Sequence, residues 1–314
     1  MSTIHVQAPG LLTTVQDLGR EGFGPMGVSP SGAADAIALR VGNRLVGNPE
    51  GVAALEMTLL GGTFVFPEGA ILALTGSDFG ATLDEVPVPL WTSFQARTGQ
   101  ALRVGPTRSG ARCYLSVQGG IAVEPLLNSS STHLLSGSGG HEGRALRKGD
   151  VLKIGPSAAP FLKSSVSASV LAKLSPRKAL RVTPGPQDDW FSAEARHVFL
   201  ASSYRVAEES NRMGLRLDGP PLAMDSTGEM ISEGVSLGAV QITAGGLPII
   251  LFVEQQTTGG YAKIANVISA DFHSLGQLRP RDEIRFESVD WSSARSLLME
   301  QEALLTSKDL LVGS

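Results

Sequence analysis

The sequence predicts a mainly β protein of two domains with a few helices, one of them C-terminal, and three observations carry that expectation. Short segments of alternating apolar and polar residues recur between Gly, Pro and Asp turns, the mark of strands rather than helices. A length of 314 residues suggests one large or two ordinary domains. Between Gly155 and Pro176 the chain turns rich in Ser, Ala, Lys and Pro, as a linker or surface excursion does. The expected domains are therefore 1–160 and 178–314, with 161–177 joining them.

Taken in order, the strand-like segments are Thr63 to Phe66, Ala70 to Thr75, Leu102 to Val104, Cys113 to Val117, Val151 to Ile154, Leu180 to Thr183, Val240 to Thr243, Ile249 to Val253 and Ile284 to Phe286. Two helices stand out. The first runs from about Ala33 to Val46, with Ile37, Val41 and Leu45 in one stripe and Ser31 and Asp35 as possible caps. The second begins near Asp290, a plausible N-cap, and carries Ala294, Leu297, Leu298, Leu304 and Leu305. A small pattern, a polar turn feeding an alternating strand, recurs at Thr98 to Val104, Lys148 to Ile154 and Pro280 to Phe286.

Composition narrows the function classes. Apolar content of 42% with 18% charge describes a soluble globular chain rather than a disordered one. A net charge of −4 with scattered Lys and Arg leaves no basic footprint for nucleic acid. No apolar run approaches the roughly 18 residues needed to span a bilayer, and the polar start lacks a signal-peptide pattern, so the cytoplasm is expected. The single cysteine, Cys113, sits in an alternating strand pattern, where a small apolar filler outweighs a nucleophile. The sequence contains no Gly-Lys dipeptide and hence no P-loop, and Ala145 stands where a zinc protease needs its second histidine after His141-Glu142. No metal is expected.

What remains is a set of polar residues beside glycines. The apolar run Pro248 to Val253 ends abruptly in Glu254-Gln255-Gln256-Thr257-Thr258-Gly259-Gly260-Tyr261. Such a run delivers amide, hydroxyl and phenol groups to a rim, with glycines admitting close backbone approach; the alternative is a tight turn whose Thr hydroxyls cap their own backbone. Glu254 is the carboxylate beside this run and the local acid-base candidate. Upstream, Asn211-Arg212-Met213-Gly214 offers an amide and a guanidinium, with Arg212 either gripping an anion bidentately or tying down backbone carbonyls. Gln241 completes this half. Near the N-terminus Gln16, Asp17 and Arg20 share one turn, where Asp17 and Arg20 are expected to pair or to lie solvated. Glu56, in the apolar stretch Ala54 to Leu59, must find a donor if buried, with Arg20 or Arg144 as the natural candidate.

These stretches together resemble the signatures of the KipA-like family, also called allophanate hydrolase subunit 2 or biotin-dependent carboxyltransferase-like. The resemblance runs through Pro9 to Arg20, Gly27 to Asp35, Leu45 to Asn48, Ala54 to Leu59, Tyr114 to Ile121, Gly139 to Arg144, Asn211 to Leu217 and the Gln256 to Tyr261 run. It implies two β-barrel domains of cyclophilin-like type in a protein that is active only with others: a KipI-like partner sharing the active cleft, and a LamB/YcsF-like partner. The form of the Asn211 to Gly214 motif looks most like the C subunit of bacterial ATP-dependent 5-oxoprolinase, which opens the lactam of 5-oxoproline to glutamate. On that view Glu254, Arg212 and Tyr261 are catalytic. Asn211, Gln241, Gln256, Thr257, Thr258, Gly259, Gly260, Gln16, Asp17 and Arg20 bind substrate, and ATP is shared with the partners. Two other readings stay open: a biotin-dependent carboxyltransferase acting on urea or a similar amide, with biotin carried on another protein, and an antagonist of a KipI-like inhibitor. The chain departs from the family pattern at Glu254-Gln255, Ala262, Asn128, His133 and Arg281.

Overall fold

A computed structural model describes residues 2–157, 160–225 and 230–313. It divides into two compact units. The first comprises Met1–Arg20, Ser31–Leu174 and Leu304–Ser314; the second comprises Glu21–Pro30 and Ser175–Ala303. The division differs from the sequence expectation at two places, because a ten-residue excursion near the N-terminus groups with the second unit and the last residues group with the first. The expected linker at 161–177 is also structured: Ser164–Val166 pairs antiparallel with Leu311–Gly313, and Ala168–Lys173 is helical.

In the first unit, apart from the Ser164–Val166 and Leu311–Gly313 pair, the strands form two sheets around one core. The larger runs in the order Ile121–Ala122, Val151–Ile154, Thr3–Ala8, Thr63–Val65, Ala101–Arg103, Thr82–Leu83, Val86–Pro87, and the smaller in the order Leu12–Gln16, Ala54–Thr58, Arg112–Val117, Ala70–Gly76, Ser93–Ala96. Phe64, Phe66, Leu72, Leu102, Leu115 and Leu152 are fully buried between them. Cys113 lies in the same core, where burial pushes its thiol up and keeps it unreactive. The first helix spans Ala36–Leu45 and buries the anticipated stripe of Ile37, Val41 and Leu45. Asp35 is its cap, accepting from the Ala38 N–H at 2.9 Å. Ser31 takes no part in capping: it is held at φ 55° and donates to the Thr132 carbonyl at 2.7 Å.

The second unit is built on a closed barrel. Its strands run Ala179–Pro184, Lys263–Val267, Ala239–Ile242, Pro248–Leu251, Gly214–Asp218, Tyr204–Val206, Glu283–Ser288, and the ring closes by parallel pairing of the first with the last, Leu180 opposite Phe286. Closure removes the exposed edges that an open sheet presents. Phe199, from the Ala193–Ala201 helix, stacks on Phe286 at 4.4 Å between ring centroids. The C-terminal helix, Trp291–Thr306, starts after Asp290, whose carboxylate accepts from the Ser293 N–H at 2.7 Å. Among the described residues no helix is long and apolar enough to cross a membrane, and no group of three His, Cys, Asp or Glu is placed to hold a metal.

The recurring turn–strand pattern has one geometry in all three copies. Arg97, Arg147 and Arg279 each open a four-residue turn whose carbonyl accepts from the N–H three residues on, at 3.1, 3.2 and 3.1 Å. Each of their own N–H groups donates to the fourth side chain: Gln100 at 2.8 Å, Asp150 at 2.7 Å and Asp282 at 2.8 Å. The Asp150 carboxyl is held down at about 2, first by the Arg144 guanidinium bonded to it and then by the Arg147 N–H. The third position must be left-handed, and it is Gly99 at φ 78°, Gly149 at 93° and Arg281 at 72°. A side chain at positive φ costs of order 1–3 kcal/mol, a cost that the glycines at the other two turns avoid. Arg281→Gly is therefore expected to stabilise the second unit by about 1 kcal/mol. The measurement belongs in a Glu208→Gln background, because the exposed Arg281–Glu208 pair at 2.6 Å would otherwise mask part of the gain. A urea midpoint that stays level or falls would refute the strain.

Candidate functional site

The strand Lys263–Val267 opens with a lysine that faces in rather than out. Lys263 is 4% exposed, and its Nζ lies 2.6 Å from Glu233 Oε1 in an ion pair. Glu233 is nearly half exposed, at 46%. Gln187 braces both residues: its Nε2 donates to Glu233 Oε1 at 2.9 Å, and its Oε1 accepts from the Lys263 N–H at 3.2 Å. The Lys263 ammonium, then the Gln187 amide, hold the Glu233 carboxyl below its ordinary value, so it is ionised at neutral pH.

This pair lines an open groove of about 1420 Å³ that lies wholly within the second unit. Thr183 and Asn266, opposite one another on paired strands, add a hydroxyl and an amide. Leu237, Ile268 and Phe272 line it with apolar surface, as do Trp291 and Leu298 of the C-terminal helix, which also contributes Arg295. Gly24, Pro25 and Gly27 contribute backbone from the Glu21–Pro30 excursion, which Ser29 ties to the barrel by donating to the Val253 carbonyl at 3.3 Å.

The Gln256 to Tyr261 run meets this groove in part. Thr257 and Thr258 line it, and Thr258–Gly259 pairs antiparallel with Glu233–Gly234, which sets the Lys263–Glu233 pair next to the threonines. A Cβ at Gly259 would lie 2.6 Å from Gln241 Nε2, so the Gln241 amide would have to shift to admit one. Gln241 Oε1 in turn accepts from Gln256 Nε2 at 3.5 Å, so these two amides hold the turn from beneath. Tyr261 is half exposed and does not line the groove.

Arg212 and Glu254 stand elsewhere in the same unit. They are 5% and 3% exposed and pair with each other, Nε to Oε1 at 2.5 Å, while the Glu254 N–H donates to the Arg212 carbonyl at 2.8 Å. Neither lines the groove. Asn211 shapes the turn before them, its Oδ1 accepting from the Met213 N–H at 2.8 Å. The cations lining the groove are Lys263 and Arg295, not Arg212 as expected.

Gln16, Asp17 and Arg20 belong to the first unit and hold one segment, Ser129 to Thr132. The Asp17 carboxylate accepts from the hydroxyls of Ser129 and Ser131, the N–H of Ser130 and the N–H of Gly19, all within 2.8 Å. Arg20 donates to the Ser131 carbonyl and Gln16 Nε2 to the Thr132 carbonyl at 3.1 Å. Glu56 finds its cation in Arg112, at 3.5 Å, rather than in Arg20 or Arg144; Arg144 is bound bidentately to Asp150 at 2.8 and 3.0 Å.

Lys263, Glu233 and Gln187 are the residues that sequence reasoning passed over. A signal was present in Lys263-Ile264-Ala265-Asn266-Val267, a strand pattern whose first position carries a charge where an apolar or small residue fits. Its partner lies thirty residues back, and only the pairing of Glu233–Gly234 with Thr258–Gly259 brings the two together.

Known proteins resemble this chain over almost its whole length. It is 38% identical over 292 residues to the 5-oxoprolinase C subunit of Haemophilus influenzae and 39% identical over 295 residues to that of Escherichia coli, covering 93% of this chain and 93% of each relative. Among solved structures, the K. lactis urea amidolyase superposes with a TM-score of 0.91 at 32% identity, over 99% of this chain but 21% of that one. This chain thus spans about a fifth of the amidolyase. The model of the carboxyltransferase domain, subdomain A and B, matches residues 26–288, and the chain belongs to that family.

Proposed function

We propose that this chain is the C subunit of a 5-oxoprolinase, a hydrolase that opens the lactam of 5-oxoproline to glutamate. The observation that carries the reading is coextension. The chain matches proteins named as the C subunit of 5-oxoprolinase over 93% of both lengths, whereas it covers about a fifth of the amidolyase. In this reading the groove of the second unit receives the substrate, and the enzyme is completed by two partners, one KipI-like and one LamB/YcsF-like. A volume of about 1420 Å³ exceeds the roughly 300–1,000 Å³ typical of small-ligand sites, which favours a cleft that a partner helps to fill. The proposed location is the cytoplasm.

ATP would drive the reaction, because an unstrained amide resists hydrolysis. The groove is a poor match for the nucleotide's phosphates: its cations are Lys263 and Arg295, and Lys263 is already paired with Glu233. We therefore assign ATP to the partner subunits. A second reading, the carboxyltransferase part of a biotin-dependent urea or amide carboxylase, draws on the amidolyase superposition.

The expected result with purified components is that the chain alone shows no 5-oxoproline-dependent ATP hydrolysis and gains it when the KipI-like and LamB/YcsF-like partners are added. Robust turnover by the single chain would overturn the shared-site reading. Carboxylation of urea by the chain with a biotin carboxylase and carrier, without oxoprolinase activity, would establish the second.

A further inference from the structure

Three ionisable side chains line the groove: Glu233, Lys263 and Arg295. Two of them answer each other. Lys263 Nζ is buried and lies 2.6 Å from Glu233 Oε1, so that pair is neutral as a whole and offers no cation to a ligand. Arg295 differs in both respects, being exposed and, among the described residues, paired with no carboxylate. The groove therefore carries one uncompensated positive charge, and the C-terminal helix supplies it. Trp291, Ala294, Arg295 and Leu298 stand at i, i+3, i+4 and i+7, the spacing of one helix face, and all four line the groove. Gln301 fixes the helix in place, its Nε2 donating at 2.8 Å to the Ala270 carbonyl of the Ser269–Asp271 turn, which gives Ser269 to the same groove.

A lone guanidinium on an otherwise apolar helix face suits a small carboxylate. Its planar fork matches the two oxygens, and low-dielectric surroundings strengthen an attraction that open water would screen. Arg295 also lies beyond residues 26–288, the part of the chain that the carboxyltransferase model matches, so the domain that defines the family does not include it. We propose that Arg295 is the specificity-determining residue of the groove: its guanidinium takes the substrate's carboxylate, so that the groove selects a charged amide over its neutral counterpart. The inference rests on the reading that 5-oxoproline, which carries a carboxylate beside its lactam nitrogen, enters this groove. It adds the residue that would separate that substrate from urea, which carries no carboxylate.

The test uses the full-length chain with 5-oxoproline and its neutral analogue 5-oxoprolinamide, binding being followed by ligand-observed NMR. The acid is expected to bind at least about tenfold more tightly than the amide. Arg295→Gln should weaken the acid by the same factor while leaving the amide and the thermal midpoint unchanged, because the side chain is exposed. Arg295→Lys should keep part of the preference, since a point charge replaces the fork. Equal binding of acid and amide to the parent chain, no binding of the acid, or a preference that survives Arg295→Gln overturns the inference. Equal weakening of both probes in Arg295→Gln overturns it too, for that is what a merely structural arginine would give. Kinetics of the assembled complex separate the two claims. There Arg295→Gln should raise KM for 5-oxoproline about tenfold with kcat little changed, the mark of lost substrate binding. Turnover at an unchanged KM means that the Arg295 assignment is wrong and the oxoprolinase reading stands. A preference for the acid that needs Arg295, in a chain whose complex does not turn over 5-oxoproline, gives the reverse.

Discussion

Replacing Arg212 by methionine is expected to destabilise the second unit by about 3–5 kcal/mol, the cost of leaving a buried carboxylate without its cation. Glu254 is 3% exposed and meets the Arg212 guanidinium at 2.5 Å. The two backbones are joined as well, by the Glu254 N–H to the Arg212 carbonyl and the Phe252 N–H to the Met213 carbonyl at 3.0 Å. The pair therefore extends the Gly214–Asp218 and Pro248–Leu251 strand pairing by one further rung. Desolvation of two charges roughly cancels their attraction, so the double variant Arg212→Met, Glu254→Met should recover most of the loss. Urea denaturation of the two single variants and the double one closes the cycle. A single Arg212→Met variant that stays within about 1 kcal/mol of the parent yet loses turnover would return Arg212 to the substrate, as the sequence suggested.

That contrast shows where sequence reasoning reaches and where it stops. Val151–Ile154 was legible because its burial alternates residue by residue, and the strand from Pro248 was legible because an apolar run bounded by polar turns has little else to become. Leu12–Gln16 and Ala54–Thr58 escaped notice for a physical reason. Thr13, Thr14, Gln16 and Glu56 are all buried, so these strands carry polar groups inward and show no period of two. Glycine beside hydroxyls drew attention to Thr257 and Thr258, which line the groove. Which charge joins them depended on strand register, and isolated motifs carry no register. Arg212 drew attention for its chemistry, but a guanidinium that grips a ligand and one that grips a neighbouring carboxylate look alike in sequence. The Glu21–Pro30 excursion was illegible for a similar reason, since a chain that leaves one unit and returns ten residues later need not change composition.

The corresponding prediction for the first unit is that Glu56→Ala costs about 3–5 kcal/mol, although Glu56 lines no groove described above. Glu56 is 1% exposed in the middle of Ala54–Thr58, with Thr14 and Tyr114 beside it on the neighbouring strands. Its Oε2 accepts from the Ala34 N–H at 2.9 Å and the Tyr114 hydroxyl at 2.7 Å, and Arg112 stands 3.5 Å from Oε1. The Tyr114 hydroxyl accepts in turn from the Asp35 N–H at 2.8 Å, and Asp35 caps the Ala36–Leu45 helix. Burial, then the nearby Glu56 and Asp35 carboxylates, push the Tyr114 phenol well up, so it serves as a neutral relay. One carboxylate thus fastens the start of the helix to the sheet. Tyr114→Phe removes the relay but leaves the ion pair, and should cost only about 1–3 kcal/mol. Because two units need not unfold together, the readout should be local: amide exchange across Ala36–Leu45 should accelerate strongly in Glu56→Ala, moderately in Tyr114→Phe, and not in Arg212→Met. Unchanged protection of that helix in Glu56→Ala would mean that the helix is held by its apolar face alone.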